Sequence, residues 1–290
     1  MKNPKVTVLM SVYNGEKYLR EAIDSILSQT FKDFEFLIVN DGSYDKTADI
    51  LKSYGDSRIK VLTNRKNIGV YRSRNKGLNV AQGKYIAVMD ADDISLPQRL
   101  EKELQVIESD TEISMVACWI KIVDEKSKKI IFWQADIENN TPEEIYYTLF
   151  FENCIAHSTV LFDKKKVLEI GGYSTAFKKS MDYELWIRMS RIEKIVKIKE
   201  DLVIRREHDI NTASHVLNQH VLIEEKLYFE NIKKLSSIMM DYDTLLSLKY
   251  NNTSWRFGKN NVFSIFEYQL METLVLINST PHFLERRKLK

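Results

Sequence analysis

The chain has 290 residues, of which 44% are hydrophobic and 29% charged, and its formal net charge is +2. This length and composition allow one large catalytic domain with a small appendage, or two ordinary domains, and exclude global disorder. The near-neutral charge disfavours nucleic-acid binding, which usually requires a basic excess or a basic stripe.

The first half of the chain is predicted to alternate strands and helices. Short apolar runs predict buried strands, and apolar residues at helical spacing predict helices after them. Asn14 is a candidate N-cap for the first helix, and residues 95–98 have the form of a capping box with an early proline. The predicted strands are residues 6–10, 34–39, 59–62 and 85–89, and the predicted helices are residues 16–27, 47–54, 71–80 and 95–107.

This alternation predicts an α/β fold, with a Rossmann-like, mostly parallel sheet flanked by helices on both faces. Ligands of such sheets bind at the carboxyl ends of the strands. Polar residues follow three of the predicted strands at this edge: Ser11 and Tyr13, then Asp41, then Asp90 and Asp92. We therefore expect these residues, which are far apart in sequence, to converge on one site.

The acidic motif of residues 90–93 directly follows a predicted buried strand. Its three carboxylates, on Asp90, Asp92 and Asp93, repel one another unless a cation or hydrogen-bond donors compensate. Mg²⁺ and Mn²⁺ prefer such oxygen ligands and often retain substrate phosphates in their shell. The alternative is a helix N-terminus, where the helix dipole favours acidic residues. Asp93 fits that alternative best because it lies just before the capping box.

Other residues near this edge have two interpretations each. Asp41, in an Asp-Gly turn, could cap the next helix or accept a hydrogen bond from a base or ribose. Tyr13 could stack on a nucleobase or simply pack against the fold. Arg72 and Arg74 lie two residues apart on a predicted helix and cannot share a face. One of them could therefore reach a diphosphate while the other forms a surface ion pair.

Five motifs in the first half of the chain together resemble the family 2 inverting glycosyltransferases of the bacterial surface-polysaccharide type, which have the glycosyltransferase A (GT-A) fold. Each motif is weak alone, but their shared order over residues 5–100 is specific. The motifs are VTVLMSVYNG (6–15), SILSQT (25–30), NDGSYDKT (40–47), RNKG (74–77) and DADD (90–93).

The resemblance implies an open, mixed sheet and a nucleotide-sugar donor, with UDP favoured. It also implies how the nucleotide is held. Asp41 would bind the base, commonly uracil, while Tyr13 would stack on it and Ser11 would lie beside it.

The same resemblance implies a divalent metal, Mn²⁺ or Mg²⁺, next to the diphosphate. Asp92 would ligate the metal and Asp90 would approach the ribose or the metal, with Arg74 as a further nucleotide contact. The implied reaction is transfer of a hexosyl or N-acetylhexosaminyl group to a hydroxyl of a glycan or of a lipid-linked oligosaccharide.

Asp182 stands near the start of a predicted helix in the second half of the chain. Taken alone, Asp182 is interpreted as a residue that complements the helix dipole. Glu184 and Arg188, four residues apart, are then interpreted as a surface ion pair. The segment is similar to the family's acidic, Leu-Trp, Arg motif, in which the aspartate at this position is the general base. Met181 precedes it where many members carry a second acidic residue, which leaves one carboxylate for the task.

Two histidines and a tryptophan are further candidates by resemblance. His208 follows Arg205 and Arg206 in a stretch like the family's Tyr-Arg-x-His, and would be a third metal ligand or a diphosphate contact. His157, in a His-Ser segment, and Trp186 would contact the sugar of the donor or the acceptor. The alternative for each histidine is a structural residue whose polar atoms are hydrogen-bonded within the fold.

The predicted organisation is a catalytic domain of residues 1–212 and a helical C-terminal extension of residues 213–290. Residues 1–110 would form the nucleotide-binding half of the catalytic domain and residues 111–212 the acceptor half. The extension contains an apolar segment, 262–278, and ends in a basic cluster. These features suit peripheral contact with an anionic membrane, although a solvated helix or a dimer contact is the simpler interpretation.

The sequence predicts a cytoplasmic protein, acting at the inner face of the cytoplasmic membrane if the basic extension binds there. Cys118 and Cys154 lack the spacing of a zinc or redox site and suit reduced, buried thiols. No apolar run reaches the ~18 residues of a membrane span. Two other functions compete with glycosyl transfer: a sugar nucleotidyltransferase, which usually has a glycine-rich phosphate loop, and a noncatalytic nucleotide-sugar or glycan-binding scaffold.

Overall fold

The computed structural model describes residues 3–124, 126, 128–149, 153–175 and 180–207. Its strands are β1 (Val6–Val12), β2 (Phe34–Asn40), β3 (Ile59–Thr63), β4 (Tyr85–Asp90), β5 (Ile94–Ser95), β6 (Ile113–Asp124), β7 (Ile130–Phe132), β8 (Leu161–Asp163) and β9 (Lys194–Glu207). Its helices are α1 (Leu19–Leu27), α2 (Thr47–Lys52), α3 (Val70–Val80), α4 (Arg99–Ser109), α5 (Gln134–Glu138), α6 (Pro142–Thr148), α7 (Lys164–Glu169) and α8 (Met181–Ser190), with a 3₁₀ turn at His157–Thr159.

The described strands form one nine-stranded mixed sheet in the order β3-β2-β1-β4-β8-β6-β9-β5, with β7 added beside the later residues of β6. The four strands β3, β2, β1 and β4 are parallel. β8 then runs antiparallel to both β4 and β6. This arrangement confirms the predicted α/β fold and its mostly parallel first half.

The central strands are largely apolar because both of their faces are covered by helices. Successive side chains of a strand point to opposite faces. In β1, Leu9 packs into a core that includes Leu78 of α3 and Trp186 of α8. Its neighbours Val8 and Met10 pack on the opposite face, in the core built with α1 and α4.

Helix α3 lies unusually close to the sheet at Gly77. A Cβ atom at this position would stand 2.3 Å from Leu9 Cδ1 and 3.1 Å from Val39 Cγ2. The first separation is too short for a real Cβ contact and the second is tight, so any larger residue would require Leu9 to move and glycine favours this approach. The close packing fixes the position of Arg74, one turn earlier on the same helix.

Two predicted helix starts are wrong. Asn14 does not cap α1, which begins at Leu19; it adopts a left-handed conformation (φ 52°) and its side chain bonds to another loop. Ser95 does not open a capping box, because it lies in β5 opposite Val203 of β9. The helix that follows, α4, begins only at Arg99. Both corrections arise from contacts with distant parts of the chain, which local spacing does not reveal.

The described residues just before β8 are not part of the sheet. β8 starts at Leu161, and the residues before it form a loop and the turn His157–Thr159. The predicted domain boundary at residue 212 and the extension 213–290 lie outside the described residues, as does His208. Within the described part of the chain, no helix combines the length and apolarity that a bilayer crossing requires.

Candidate active site

The carboxyl edge of the parallel strands brings together residues from separate motifs. Ser11 of β1 and Asp90 of β4 are register partners on neighbouring strands. Asp41 follows the end of β2, and its N–H donates to the carbonyl oxygen of Val12 in β1 (2.8 Å). The Ser11 hydroxyl is buried and has no hydrogen-bond partner within the described chain. A buried polar atom without a partner at a strand end is consistent with a ligand that supplies one.

The loops after β1 and β2 are joined to each other by reciprocal hydrogen bonds. The Asn14 N–H donates to Ser43 Oγ (2.9 Å), and the Tyr44 N–H donates to Asn14 Oδ1 (3.1 Å). A third bond runs from the Glu16 N–H to Asp45 Oδ2 (3.0 Å). The two loops therefore hold each other in place before any ligand arrives.

Two tyrosines stand exposed on these joined loops. Tyr13 is 45% exposed and Tyr44 is 83% exposed. Their rings meet edge to face, with centroids 6.1 Å apart and an interplanar angle of 81°. Large aromatic rings exposed at a strand edge are available for stacking. The sequence reasoning missed Tyr44, although its place in the Asp-Gly-Ser-Tyr turn at the same strand end was a usable signal.

Asp41 is buried, and its carboxylate organises the loop that precedes α3. Its Oδ1 accepts hydrogen bonds from Asn64 Nδ2 (2.8 Å) and the Ile68 N–H (3.0 Å). Its Oδ2 accepts from the Gly69 N–H (3.0 Å), where the backbone φ of 94° favours glycine. Three of the roughly four acceptor positions of the carboxylate are thus already used.

Asp90 is held between a guanidinium and an imidazole. Arg74 Nη2 donates to Asp90 Oδ1 (2.7 Å), and His157 Nδ1 lies 3.1 Å from the same oxygen. Burial acts to raise the pKa of Asp90, but the neighbouring His157 and Arg74 outweigh it and hold that pKa well below its ordinary value. Asp90 is therefore a carboxylate at neutral pH.

His157 and Trp186 lie deeper than a sugar contact requires. His157 is buried, its Nε2 lies 3.0 Å from the Tyr173 hydroxyl, and its ring stacks on Trp186 at 6.2 Å. Trp186 is fully buried and presents no surface to a ligand. In this arrangement Trp186 supports His157, and His157 in turn orients Asp90.

Asp93 is not the helix-start residue that its sequence position suggested. α4 begins six residues later, and Asp93 is buried between Ser158, whose hydroxyl donates to Oδ2, and the Arg206 N–H, which donates to Oδ1 (3.2 Å). Burial, and then the charges of Asp92 and Asp90, raise the pKa of Asp93 well above its ordinary value. The protonated, neutral form of Asp93 is therefore favoured next to its acidic neighbours.

The described residues contain no cluster of three or more histidine, cysteine, aspartate or glutamate side chains positioned to hold a metal. Of the acidic motif, Asp90 is engaged by Arg74 and His157, and Asp93 is engaged by Ser158 and Arg206. Asp92 is half-buried. Such a donor set fits a hard cation that takes most of its oxygen ligands from a substrate diphosphate and from water.

The start of α8 is connected to this strand end through Arg74. The Arg74 guanidinium that bonds Asp90 also contacts the Met181 sulfur, 3.6 Å from Nη1. Asp182, the next residue, is half-buried in the first turn of α8. Burial raises the pKa of Tyr173; Arg74 lowers it, and Asp182 and Asp90 raise it further. Tyr173 therefore lies within the electrostatic influence of both carboxylates.

The predicted Glu184 and Arg188 pair is present, with 2.6 Å between Glu184 Oε1 and Arg188 Nε. It is partly buried rather than a surface pair. Arg188 also donates to the carbonyl oxygens of Ile170 (2.7 Å) and Gly172 (2.6 Å). The pair thereby fixes the turn that leads from α7 towards the site.

A comparison with protein families identifies the chain. Residues 7–186 match the model of the family described as Glycosyl transferase family 2, which covers more than half of the sequence. The chain belongs to this family. Its members are glycosyltransferases, so the activity is glycosyl transfer and not nucleotidyl transfer.

Relatives of this transferase support the assignment. It is 34% identical to an uncharacterised glycosyltransferase of Methanocaldococcus jannaschii, over 98% of this chain and 92% of the relative. It is 36% identical to the O-antigen biosynthesis glycosyltransferase WbnJ of Escherichia coli, over 63% of this chain and 71% of the relative.

A solved structure confirms the fold of the transferase. The structure of S. aureus TarS 1–349 in complex with UDP-GlcNAc matches with a TM-score of 0.61 at 22% identity. The match covers 73% of this chain and 61% of that one. The GT-A fold predicted from the five motifs is thereby confirmed.

Proposed function

We propose that this transferase moves a sugar from a nucleotide diphosphate donor, with UDP favoured, to a hydroxyl of a glycan or lipid-linked oligosaccharide, with inversion at the anomeric carbon. The observation that carries the proposal is the double contact of Arg74, with Asp90 at the end of β4 and with Met181 at the start of α8. This double contact supports placing Asp90, as a nucleotide-side carboxylate, and Asp182, the residue after Met181, in one site.

The donor and acceptor classes are supported by the relatives. TarS was solved with UDP-GlcNAc, and WbnJ is named for O-antigen biosynthesis. On this basis a UDP-sugar is the proposed donor, and a cell-surface polysaccharide or its lipid-linked precursor is the proposed acceptor. The protein would then act in the cytoplasm, at the inner face of the membrane if the acceptor is lipid-linked.

The nucleotide would lie across the joined loops. The exposed Tyr13 ring offers a stacking surface for the base, and the unpartnered Ser11 hydroxyl offers a hydrogen bond. Asp41 has little free acceptor capacity, so it would contribute one hydrogen bond to the base at most and would otherwise fix the loop before α3.

The diphosphate would lie near Asp92, the residue that would hold Mn²⁺ or Mg²⁺; His208 is the further ligand proposed by resemblance. A bound divalent cation would neutralise the negative charge that develops on the departing diphosphate. The Arg74 guanidinium donates to Asp90 Oδ1 and the Arg206 guanidinium donates to the Asp92 carbonyl oxygen. These two positive groups at the acidic motif would attract the diphosphate of the donor.

Asp182 would act as the general base. As the acceptor oxygen forms its bond to the anomeric carbon, the bond from that carbon to the diphosphate oxygen breaks on the opposite side. The acceptor hydroxyl proton passes to the Asp182 carboxylate. His157 and Trp186 would hold Asp90 in place, and would not touch the sugar.

Calorimetric titration of UDP, GDP, dTDP and CMP, each with and without Mn²⁺, tests the donor site. We expect one diphosphate nucleotide, UDP, to bind in a metal-dependent manner. Asp92→Ala should weaken the metal-dependent binding by about tenfold or more, because a hard oxygen ligand is lost.

The exposed Asp49→Ala is the matched control for this titration, because it removes the same group from a residue that the proposal does not assign to the site. No nucleotide binding by well-folded wild-type protein would overturn the donor site and favour a noncatalytic scaffold. An equal loss of metal-dependent nucleotide binding in Asp49→Ala and Asp92→Ala would contradict the role of Asp92.

Tyr13→Ala is expected to raise the dissociation constant of UDP roughly 5- to 150-fold, because base stacking on an aromatic ring contributes about 1–3 kcal/mol. Tyr44→Ala should have a smaller effect, about 2- to 12-fold, since Tyr44 only supports the Tyr13 ring at its edge. Val80→Ala, which alters an exposed apolar residue at the end of α3, is the control. Unchanged UDP affinity in Tyr13→Ala would contradict stacking.

A further inference from the structure

The hairpin of β6 and β7 carries an apolar surface that the proposed reaction does not use. Ile130, Ile131 and Phe132 are consecutive in β7 and are 54%, 43% and 66% exposed. β7 pairs with β6 along one edge, and no described strand covers its other edge. Contiguous exposed apolar side chains on a soluble protein mark a site of interaction.

These side chains are exposed on both faces of the strand. Cross-strand partners share a face, so Ile131 lies on the same face as its partner Ile122, whereas Ile130 and Phe132 lie on the face of Val123 and Lys121. A protein that docks on one face of the hairpin would leave the other apolar face in water. An edge-on approach to a lipid surface would cover both faces at once.

Basic residues border the apolar strand. Lys126, Lys128 and Lys129 are exposed in the turn between β6 and β7, immediately before Ile130. Asp124 at the end of β6 is half-buried and offsets part of this charge. Lysines next to exposed aromatic and aliphatic side chains suit the interface of an anionic bilayer, where the charges meet headgroups and the apolar groups reach the acyl boundary.

We propose that the β6–β7 hairpin is a peripheral docking surface for anionic membranes. The three apolar side chains of β7 enter the headgroup and acyl boundary, and the three turn lysines contact anionic headgroups. Penetration stops at this boundary because the uncovered backbone edge of β7 must stay hydrated. The residues of this surface lie outside the 213–290 segment of the sequence, and the proposal does not depend on the transfer reaction.

The test uses the full chain and vesicles of phosphatidylcholine with phosphatidylglycerol at low salt, compared with pure phosphatidylcholine. Phe132→Trp places a fluorophore at the tip of the surface, and lipids brominated on their acyl chains report its depth. We expect bromolipid to quench Phe132→Trp more than wild type. The matched control is Ile192→Trp, because Ile192 is 58% exposed and lies away from the hairpin. It comes just before β9, whose first residue pairs with the start of β6, whereas β7 pairs with the end of β6. This variant should show no such extra quenching.

Two further variants separate the apolar and basic contributions. Phe132→Ser combined with Ile130→Ser should weaken vesicle binding by about tenfold or more, and so should Lys128→Glu combined with Lys129→Glu at low salt. Near-ultraviolet circular dichroism and UDP binding check that each variant is folded. An unaltered donor site with altered lipid binding separates this proposal from the proposed function.

Several outcomes would overturn the proposal. These are no vesicle binding by wild type, equal binding by wild type and all hairpin variants, or equal extra quenching of Phe132→Trp and Ile192→Trp. Concentration-dependent dimerisation abolished by Phe132→Ser, without lipid binding, would also overturn it and assign the strand to a protein interface.

Discussion

Replacing Asp182 by asparagine is expected to lower the turnover number by about 10²- to 10⁴-fold while leaving the dissociation constant of the donor nucleotide unchanged. The loss is the usual contribution of a positioned general base. Asparagine keeps the size of the side chain in the first turn of α8 but cannot take the acceptor proton. Because the proposed role of Asp182 is to act on the acceptor, the affinity for the nucleotide reports only whether the site is still folded.

The measurement is release of UDP from the donor sugar and acceptor on which the wild-type transferase turns over, with UDP affinity determined on the same preparations. The control is Asp49→Asn, which alters an exposed aspartate that has no proposed role in transfer, and it should leave both quantities unchanged. Turnover near that of wild type in Asp182→Asn would contradict the assignment of Asp182 as the general base. Loss of both turnover and UDP binding would indicate a structural role instead.

Replacing Arg99 by leucine is expected to lower the free energy of unfolding by about 3–5 kcal/mol at neutral pH. Arg99 and Glu103 are both fully buried in α4, with 2.9 Å between Arg99 Nε and Glu103 Oε1. Arg99 Nη2 also donates to the carbonyl oxygens of Val88 (2.9 Å) and Val160 (3.2 Å), which join β4 to the residue before β8. Removing one partner of a buried ion pair leaves the other charge uncompensated.

The pH dependence of this effect follows from Glu103. Burial raises the pKa of Glu103 to about 7 from its ordinary value of 4.5, although Arg99 opposes the shift. A raised pKa in the folded state favours the protonated form, so the associated stability is present below about pH 4.5 and is lost as the pH rises through 7. The destabilisation by Arg99→Leu should therefore be larger above pH 7 than near pH 5.

Urea unfolding measures what this ion pair contributes to the free energy of unfolding. The proteins compared are the wild type, Arg99→Leu and the double variant Arg99→Leu/Glu103→Leu. The double variant should recover most of the lost stability, since replacing both partners of a buried pair with apolar residues is often nearly neutral. If Arg99→Leu alone were as stable as wild type, or if the double variant were less stable than the single one, the pair would not have the role described.

The parallel half of the fold was predictable because a buried parallel strand has a distinctive sequence. β1 and β2 are apolar runs with helical periodicity between them, and the structure has both at nearly the predicted bounds. The second half was harder. β9 has many charged residues over its 14-residue length, and it is held by pairing with β6 from far along the chain. Local spacing carries no information on such pairing.

The residues of the candidate site also differ in how far the sequence could predict them. The strand-end residues Ser11, Asp41 and Asp90 could be expected at one edge because parallel strands end together. Tyr173 and Met181 could not, since their contacts with the site span 16 residues to His157 and 107 residues to Arg74. Neither a tyrosine nor a methionine indicates a functional role by its residue type. The role of each depends on the residues that the fold brings beside it.

The position of β8 has a consequence for how this enzyme could be re-engineered. β8 comes from the second half of the catalytic chain, yet it is inserted in the sheet between β4 and β6. The predicted nucleotide-binding and acceptor segments are therefore joined in one sheet, and a cut near residue 110 would expose the edge of β4 just before Asp90. A chimaera that exchanges acceptor segments between relatives would keep its donor site only if the incoming strand preserved the register of Ala87 with Leu161.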